Sequence, residues 1–258
     1  MDEIGLISIK KRFFASLIHF LFSIIIVFFV LVLVFYIWYP GALAEASGVA
    51  EIFFLVLIVD VCLGPLLTFV VFDIKKKGLK RDLLIILLIQ LSALFYGIYT
   101  VGVVRPAFIV FAVDRFELVY ANELSKEQLR FGFSPEYKRV SMLGPKWVAA
   151  KMPEDIAERN LLLFQALEGG ADLAQSPRYY LSYQEMKSEI IAKSKPLQNL
   201  EQFNLEDITT YLSMIDRYDH DIHRYYYLPL QAKKMDLAVV IDRFTADVVE
   251  VVDLEPWG

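Results

Sequence analysis

The sequence contains little cysteine, little charge and no excess of basic residues. A single cysteine, Cys62, occurs in the 258 residues, so no internal disulfide forms and zinc sites built on several thiolates are excluded. Only 22% of the residues are charged while 57% are hydrophobic, a balance that excludes a disordered chain. The formal net charge of -5 disfavours nucleic acid as a partner, because proteins that bind it usually carry a basic face.

The common catalytic motifs are absent as well. The chain has no GxSxG nucleophile elbow, no GxxxxGK[ST] phosphate-binding loop, no GxGxxG fingerprint and no protein-kinase set. We therefore expect a protein that is not an enzyme and that needs no cofactor.

Three long apolar runs dominate the first 104 residues. The first, Phe20 to Tyr39, has no charged residue, and twenty helical residues reach about 30 Å, the thickness of the hydrocarbon core of a bilayer. The second run contains one acid, Asp60, but its 16 Leu, Ile, Val and Phe residues outweigh that charge on an insertion scale. We predict a transmembrane domain at 1–104 with three helices, at about 14–39, 50–72 and 83–104.

Lysine and arginine in the short flanks indicate the orientation. The N-terminal tail carries three, Lys10, Lys11 and Arg12, and the stretch 73–82 carries five, whereas the stretch 40–51 carries none. Since short cytoplasmic segments are enriched in basic residues, we expect the N-terminus and the second loop on the cytoplasmic side. Three crossings would then place residues 105–258 outside the cytoplasm, as a periplasmic domain on a bacterial inner membrane.

Residues 105–258 show the pattern of an α+β domain. Similar segments lie near its two ends, AVDRF at 112–116 and VIDRF at 240–244, each with an Asp that favours a turn between apolar stretches. We interpret them as two hairpins of one antiparallel sheet, and a functional role for Asp114–Arg115 and Asp242–Arg243 is the alternative. Further strands are expected within 144–152 and 225–230, and helices at Glu154–Glu168, Tyr183–Lys193 and Leu205–Ile222.

Asp60 is the sharpest polar feature of the apolar runs. An ionisable residue inside a membrane is a functional candidate by default, and Gly64 and Pro65 close behind it predict a kink. Its candidate neighbours are Gln90 and Ser92 on the third run. A protonated, hydrogen-bonded Asp60 would hold the helices together, or Asp60 would meet the membrane helix of a partner. A proton relay is disfavoured, because no second acid or base accompanies Asp60 in the runs.

Two sets of residues in the outer domain are weaker candidates. Asp216, His220 and His223 have the i, i+4, i+7 spacing of one helix face, which would suit a metal ion. We nevertheless expect no metal site, because motif matches of this kind are often false and such residues usually form the wet face of a helix. Tyr179 and Tyr180 follow a loop and are candidates for an aromatic surface that meets a partner, since tyrosine is enriched at interfaces.

Two stretches of the chain resemble a known family. DVCLGPLLTFVVFDIKKKGLKRDL at Asp60–Leu83 and RPAFIVFAVDRF at Arg105–Phe116 are similar to the type IV pilin accessory proteins, the TfpX/TfpZ-like family. The most specific parts are D-x-x-L-G-P-L-L-T at Asp60–Thr68 and RPAFIVF at Arg105–Phe111. The resemblance runs over nearly the whole chain, although the helical middle matches only in kind.

The resemblance implies an inner-membrane accessory, chaperone-like protein of type IV pilus assembly. Its partners would be the major pilin, other inner-membrane assembly components and the lipid bilayer. A notch shaped by Asp60, Gly64 and Pro65 would meet the pilin helix, and Tyr179 and Tyr180 would meet the pilin head. Two other interpretations stay open: a membrane-anchored periplasmic metalloenzyme that uses the His and Asp set, and a sensor or transporter subunit that uses Asp60.

Overall fold

The chain is divided into two compact units. A computed structural model describes residues 3–257, so residues 1, 2 and 258 of the predicted domain ranges lie outside the described residues. The helical unit comprises the chain up to Ile37 together with Val49–Val103. The sheet unit comprises Trp38–Gly48 and the chain from Val104 onward.

In the described residues, five α-helices precede the first strand, and strands and helices then alternate until the last three strands. The α-helices are α1 (Glu3–Leu31), α2 (Leu43–Ala46), α3 (Val49–Ile58), α4 (Gly64–Val71), α5 (Leu79–Val103), α6 (Lys126–Arg130), α7 (Ile156–Leu167), α8 (Lys187–Lys193) and α9 (Ile208–Tyr218). The strands are β1 (Pro106–Ala112), β2 (Arg115–Tyr120), β3 (Lys146–Ala150), β4 (Tyr180–Ser182), β5 (Lys195–Pro196), β6 (Tyr225–Gln231), β7 (Leu237–Asp242) and β8 (Val248–Val252). Two π-helical segments, Val32–Trp38 and Val59–Leu63, follow α1 and α3.

Two helices are long and apolar enough to cross a membrane. They are Ile9–Trp38, which joins most of α1 to the π-helical segment behind it, and Leu79–Val103, which is α5. The prediction of three such helices is wrong, because a third helix of that kind does not occur among residues 3–257. The run around Asp60 is interrupted by the π-helical segment Val59–Leu63. Pro65 has no N–H to donate to the preceding turn, and a wider helical turn is a usual response to such a gap.

One eight-stranded mixed sheet forms the centre of the sheet unit. The strand order is β4-β3-β1-β2-β6-β7-β8, and β5 pairs with β6. β1 pairs with β3 in parallel and β2 pairs with β6 in parallel, whereas the other pairs are antiparallel. The prediction of an antiparallel sheet is therefore wrong. Long connections that contain helices bring β3 and β6 back beside the first hairpin in the parallel sense.

Strands β1 and β7 are covered on both faces of the sheet. Such burial is typical of sheets that contain parallel pairs. All seven residues of β1 and all six of β7 are buried. Ile109 and Phe111 contact the core on the side of α8, whereas Phe108 and Val110 contact the core on the side of α7. Strands buried on both faces read as continuous apolar runs, as in parallel sheets, instead of alternating with polar residues.

The two predicted hairpins form and lie in the same sheet. β1 and β2 are joined at Asp114, and β7 and β8 are joined by a longer turn after Asp242. The hairpins are separated by β6. The strands predicted within 144–152 and 225–230 contain β3 and β6.

The three predicted helices exist but are shorter than expected. α7 begins after Asp155, which caps its first turn, and the Ser182 capping box begins a 3-10 turn that leads into α8. The predicted cap of the last helix, Asn204, instead donates to the carbonyl oxygens of Leu200 and Glu255, at 2.7 and 2.9 Å. α9 therefore begins four residues later, at Ile208.

The segment Trp38–Gly48 is built into the sheet unit, although it precedes that unit by more than fifty residues in the chain. Leu43 and Ala46 of α2 are buried in the core beside β1, β2 and β7. The Trp38 indole donates through Nε1 to the carbonyl oxygen of Met142, at 3.0 Å. The stretch between the first two apolar runs is therefore a structural part of the C-terminal domain, and not a free loop.

Leu43→Ala tests this assignment. Leu43 is only 2% exposed, so removing its side chain leaves a cavity and lowers the free energy of unfolding by about 2–5 kcal/mol. Hydrogen exchange of the purified full chain should then speed up in β1 and β7. Leu143→Ala, at a position 84% exposed, makes the same chemical change and should leave the exchange unchanged. Equal exchange in the two variants would contradict the assignment.

Candidate functional site

The candidate site lies in the interior of the helical unit. The buried polar side chains that the structure describes in this unit are Ser23, Asp60, Thr68 and Gln90. Asp60 is 6% exposed and Gln90 is 8% exposed. Buried polar groups are expensive without partners, so their arrangement is informative.

Gln90 and Asp60 are joined across two helical segments. The Gln90 side chain donates through Nε2 to the backbone carbonyl of Asp60, at 3.2 Å. Gln90 lies in the buried stripe of α5, and Gly64 opens α4 directly beside it. A Cβ on Gly64 would stand only 2.0 Å from Gln90 Nε2. Glycine at this position is therefore what lets the amide reach the interrupted helix.

A second polar contact joins α1 to α4. His19 Nδ1 lies 2.5 Å from Thr68 Oγ1, and Ser16 Oγ donates to the carbonyl oxygen of Pro65, at 2.8 Å. The sequence prediction that no further ionisable group accompanies Asp60 missed His19, which lies one residue before the first uncharged run. The periodicity of α1 holds the signal, because His19 is four residues before the buried Ser23.

His19, Asp60 and Gln90 line one part of a small cavity of about 80 Å³, which we call the polar cavity after them although most of its walls are apolar. Its lining residues are His19, Phe22, Ser23, Ile26, Val27, Asp60, Leu87, Gln90, Leu91 and Leu94. Within the described part of the chain, Asp60 Oδ1 and Gln90 Oε1 have no hydrogen-bond donor. The interior of the unit therefore contains two buried acceptors without a donor. Ser92, the other predicted neighbour of Asp60, donates instead to the carbonyl of Leu88 on its own helix, at 2.8 Å.

Gly64→Ala tests the close contact. The added methyl group displaces the Gln90 amide and breaks its hydrogen bond, which lowers the free energy of unfolding by about 1–3 kcal/mol. Gln90→Ala loses the same bond, so the double variant should be less destabilised than the sum of the two single variants.

Thermal unfolding of the purified full chain measures this coupling. Gly78→Ala is the matched control, because a Cβ there lies 3.6 Å from the nearest atom, which belongs to Arg81. Strict additivity of the Gly64 and Gln90 variants would show that the two residues do not act together.

The first Asp-Arg pair of the sheet unit organises a turn. Val113 adopts a φ of 61°, and Arg115 Nε donates to Asp114 Oδ1 at 2.9 Å. The Arg115 guanidinium also stacks over the Trp257 ring, at 4.9 Å from its centre. Asp114 and Arg115 thus close the first hairpin and contact the C-terminal segment.

In the second pair, Asp242 and Arg243, the aspartate is buried. The Asp242 carboxylate accepts from Arg224 Nε at 2.5 Å and from the Phe244 backbone N–H at 2.8 Å. Burial alone would raise the pKa of Asp242, but these bonds outweigh it and hold the pKa below its ordinary value. Arg243 stacks over the Tyr226 ring, at 4.9 Å from its centre. Both pairs thus support their hairpins.

The two candidate tyrosines have different environments. Tyr180 is fully buried, and its hydroxyl donates to the carbonyl oxygen of Ala174, so the Tyr180 ring does not face a partner. Tyr179 is half-buried and donates to Glu158 of α7 at 2.8 Å, with Arg178 stacked over its ring. Only Tyr179 of this pair lies at the surface.

The three candidate metal ligands, Asp216, His220 and His223, do not lie on one helix face. α9, which contains Asp216, ends at Tyr218, and His220 and His223 lie in a 3-10 segment that is broken at Asp221. The i, i+4, i+7 geometry therefore does not form. Over residues 3–257, no group of three or more His, Cys, Asp or Glu side chains is arranged to hold a metal ion.

Glu117 is a titratable group that the sequence did not single out. It lies on the central strand β2, opposite Val110 of β1 and Gln231 of β6. Burial raises the pKa of its carboxyl to about 7, the negative charge of Asp172 adds to this effect, and Arg115 opposes it. Its position between the apolar residues Phe116 and Leu118 of a central strand is the signal that could have revealed it.

This shift predicts a pH dependence of stability. The unfolded chain releases the Glu117 proton near pH 4.5, whereas the folded chain keeps it until about pH 7. The folded state binds more protons in that window, so the free energy of unfolding falls as the pH rises through it. Glu117→Gln should flatten the dependence, measured by denaturant unfolding between pH 4.5 and 7.5. The surface variant Glu127→Gln should keep it, and an unchanged slope in Glu117→Gln would contradict the assignment.

Together the two units define a class of protein. A helical unit with an apolar exterior and membrane-length helices is joined to a folded α+β domain. Helices of this length and composition are typical of membrane anchors. The polar groups gathered in the helical interior form contacts between helices.

Comparison with known proteins gives the family. The family model "Fimbrial assembly protein FimB" matches residues 7–48. The fimbrial assembly proteins of serogroups I and E1 from Dichelobacter nodosus are each 30% identical over 243 residues, which cover 91% of this chain and 93% of theirs. That of serogroups C1 and C2 is 38% identical over 127 residues, 46% of this chain and 96% of its own. No solved structure matches the chain.

The chain belongs to the family of fimbrial assembly proteins. This confirms the resemblance to type IV pilin accessory proteins that the sequence shows. The family names describe an assembly protein and not an enzyme.

Proposed function

We propose that this protein is a non-enzymatic, chaperone-like accessory factor that holds a type IV pilin subunit in the inner membrane before the subunit enters the pilus. The observation that carries the proposal is the membership of the fimbrial assembly family over nearly the whole chain. A pilin subunit has a hydrophobic helix and a globular head, and the two units of this protein offer a surface of matching polarity for each.

A membrane location is supported by the surface of the helical unit. Phe28, Phe29, Phe95 and many other large apolar side chains are exposed there. An apolar surface of that extent is unfavourable in water and favourable in lipid.

The N-terminal side of both long helices is proposed to face the cytoplasm, and the interrupted stretch 49–71 is proposed to return the chain between them. Lys10, Lys11 and Arg12 lie near the beginning of the first, and Lys80 and Arg81 at the beginning of α5. Basic residues favour the cytoplasmic side. Both long helices end at segments of the sheet unit, which supports the proposal that the sheet unit lies in the periplasm.

The pilin helix is proposed to contact the helical unit at the polar cavity. Asp60 Oδ1 and Gln90 Oε1 are acceptors without a donor in the described chain, and a polar group on a partner helix would satisfy them. Ile26 lines the same cavity and is 41% exposed, so the lining reaches the surface of the unit. Gly64 and Pro65 let α4 approach its neighbours closely beside the site.

The pilin head is proposed to contact the sheet unit near α7. This helix buries Leu162 and exposes Leu163, Phe164 and Leu167. Tyr179 is attached to the same helix through Glu158. An exposed apolar helix face next to a half-buried tyrosine is typical of protein interfaces.

Deletion of the gene tests the proposed function directly. We expect surface pilin to fall several-fold while pilin still accumulates in the membrane, because the subunit is made but not passed on. Surface and total membrane pilin are compared by immunoblotting, with the gene restored in trans as the control. A parallel fall of both pools would indicate protection from degradation, and no change in either pool would contradict a role in assembly.

Asp60→Leu tests the proposed contact. Leucine removes the acceptor, so surface pilin and recovery of pilin with the purified protein should each fall several-fold. Asp60→Asn keeps a hydrogen-bonding side chain and should retain most of both. Ser92→Leu is the matched control, because the Ser92 hydroxyl is bound to its own helix. Normal surface pilin in Asp60→Leu, at normal membrane levels of the variant, would rule out the contact.

A further inference from the structure

The helical unit also contains a groove with apolar walls and a basic mouth, which we call the lysine groove. Its volume is about 820 Å³. Its lining residues are Lys10, Lys11, Phe14, Ala15, Ile18, His19, Phe22, Thr68, Phe72, Ile74, Leu83 and Leu87. It adjoins the polar cavity, with which it shares His19, Phe22 and Leu87.

The walls of the lysine groove suit an apolar ligand body. They are supplied by α1, by the end of α4 with the residues that follow it, and by the beginning of α5. The two polar lining residues away from the mouth, His19 and Thr68, contact each other at 2.5 Å. One ring nitrogen of His19 and the Thr68 hydroxyl are thus engaged with each other, and the inner walls present mainly hydrocarbon.

The mouth suits an anion. Lys10 and Lys11 are exposed, and the described residues offer them no ion-pair partner. The next basic residue, Arg12, differs, because its guanidinium lies 3.7 Å from Asp73. Two ammonium groups at one end of an apolar groove are complementary to a ligand that has an anionic head and an apolar body.

The size of the groove favours lipid over protein. A helix about 10 Å across that rises 1.5 Å per residue occupies roughly 120 Å³ per residue, so 820 Å³ would hold about two turns of helix. That is a small part of a membrane-spanning segment, whereas flexible acyl chains fill a groove of irregular shape. Basic pockets between membrane helices on the cytoplasmic side commonly hold anionic head groups.

We propose that the lysine groove binds one anionic phospholipid, with its acyl chains between α1 and α5 and its phosphate at Lys10 and Lys11. This inference rests on the membrane location and orientation proposed above. The bound lipid would complete the packing of the helical unit next to the polar cavity.

Native mass spectrometry of the purified full chain tests this proposal. The protein is exposed in detergent to equal amounts of phosphatidylglycerol and phosphatidylcholine with identical acyl chains. We expect one phosphatidylglycerol to be retained at least fivefold over phosphatidylcholine. Lys10→Gln with Lys11→Gln should abolish that preference, whereas Lys75→Gln with Lys77→Gln removes the same charge outside the groove lining and should keep it.

A groove-filling variant separates a specific site from general attraction to charge. Ala15→Trp should lower retention of both lipids, because it fills the groove and leaves both lysines in place. Equal retention of the two lipids by the wild type, or equal loss of preference in both lysine pairs, would overturn the proposal, as would full retention in Ala15→Trp. If lipid retention fails while gene deletion still lowers surface pilin, the lysine groove is wrong and the proposed function stands.

Discussion

The helical unit buries polar side chains beneath an apolar surface, and the rest of the structure depends on that constraint. Its outside carries phenylalanine, leucine and isoleucine, while its interior holds Ser23, Asp60, Thr68 and Gln90 among apolar side chains. Such a surface is favourable in lipid, and in lipid no water would be available to satisfy a polar group inside the unit. The contacts of Gln90 with the Asp60 carbonyl and of His19 with Thr68 therefore connect the helices. Asp60 Oδ1 and Gln90 Oε1 have no hydrogen-bond donor among the described residues, and they mark the candidate site of the unit.

The sheet unit follows the ordinary polarity of a globular domain, and it includes a piece of chain from far upstream. Leu43 and Ala46 belong to its core, so the end of the first long helix leads into a packed element. Buried β1 and β7 need cover on both faces, and α8, α7, α9 and the segment Trp38–Gly48 provide it. The Asp-Arg turns and the C-terminal segment close its hairpins. Under the proposed function, this domain would present one surface, near α7, to a second protein.

Much of this arrangement could be read from the sequence, and the failures have physical causes. Local signals located β1 with β2, β7 with β8, and the capping box at Ser182, because each depends on neighbouring residues. The parallel pairing of β1 with β3 depends on contacts between distant segments, which a local pattern does not contain. The run around Asp60 has the composition of a membrane span, but Pro65 and the π-helical segment before it interrupt the helix. Gln90 was found as a neighbour of Asp60, whereas His19 was missed because it precedes the apolar run. The predicted alignment of Asp216, His220 and His223 on one helix face does not form, because α9 ends before His220.

The central claim is that a pilin helix contacts the helical unit at the polar cavity, and site-specific photocrosslinking in intact cells tests it most directly. A benzophenone side chain at Ile26, which lines the cavity, should form a crosslink to pilin. The same side chain at Phe28 is the control, because Phe28 is 59% exposed on the same helix and is outside the cavity lining. A pilin crosslink from Ile26 and none from Phe28 is the predicted result. Equal crosslinking from both positions, or crosslinking from Phe28 alone, would contradict the account.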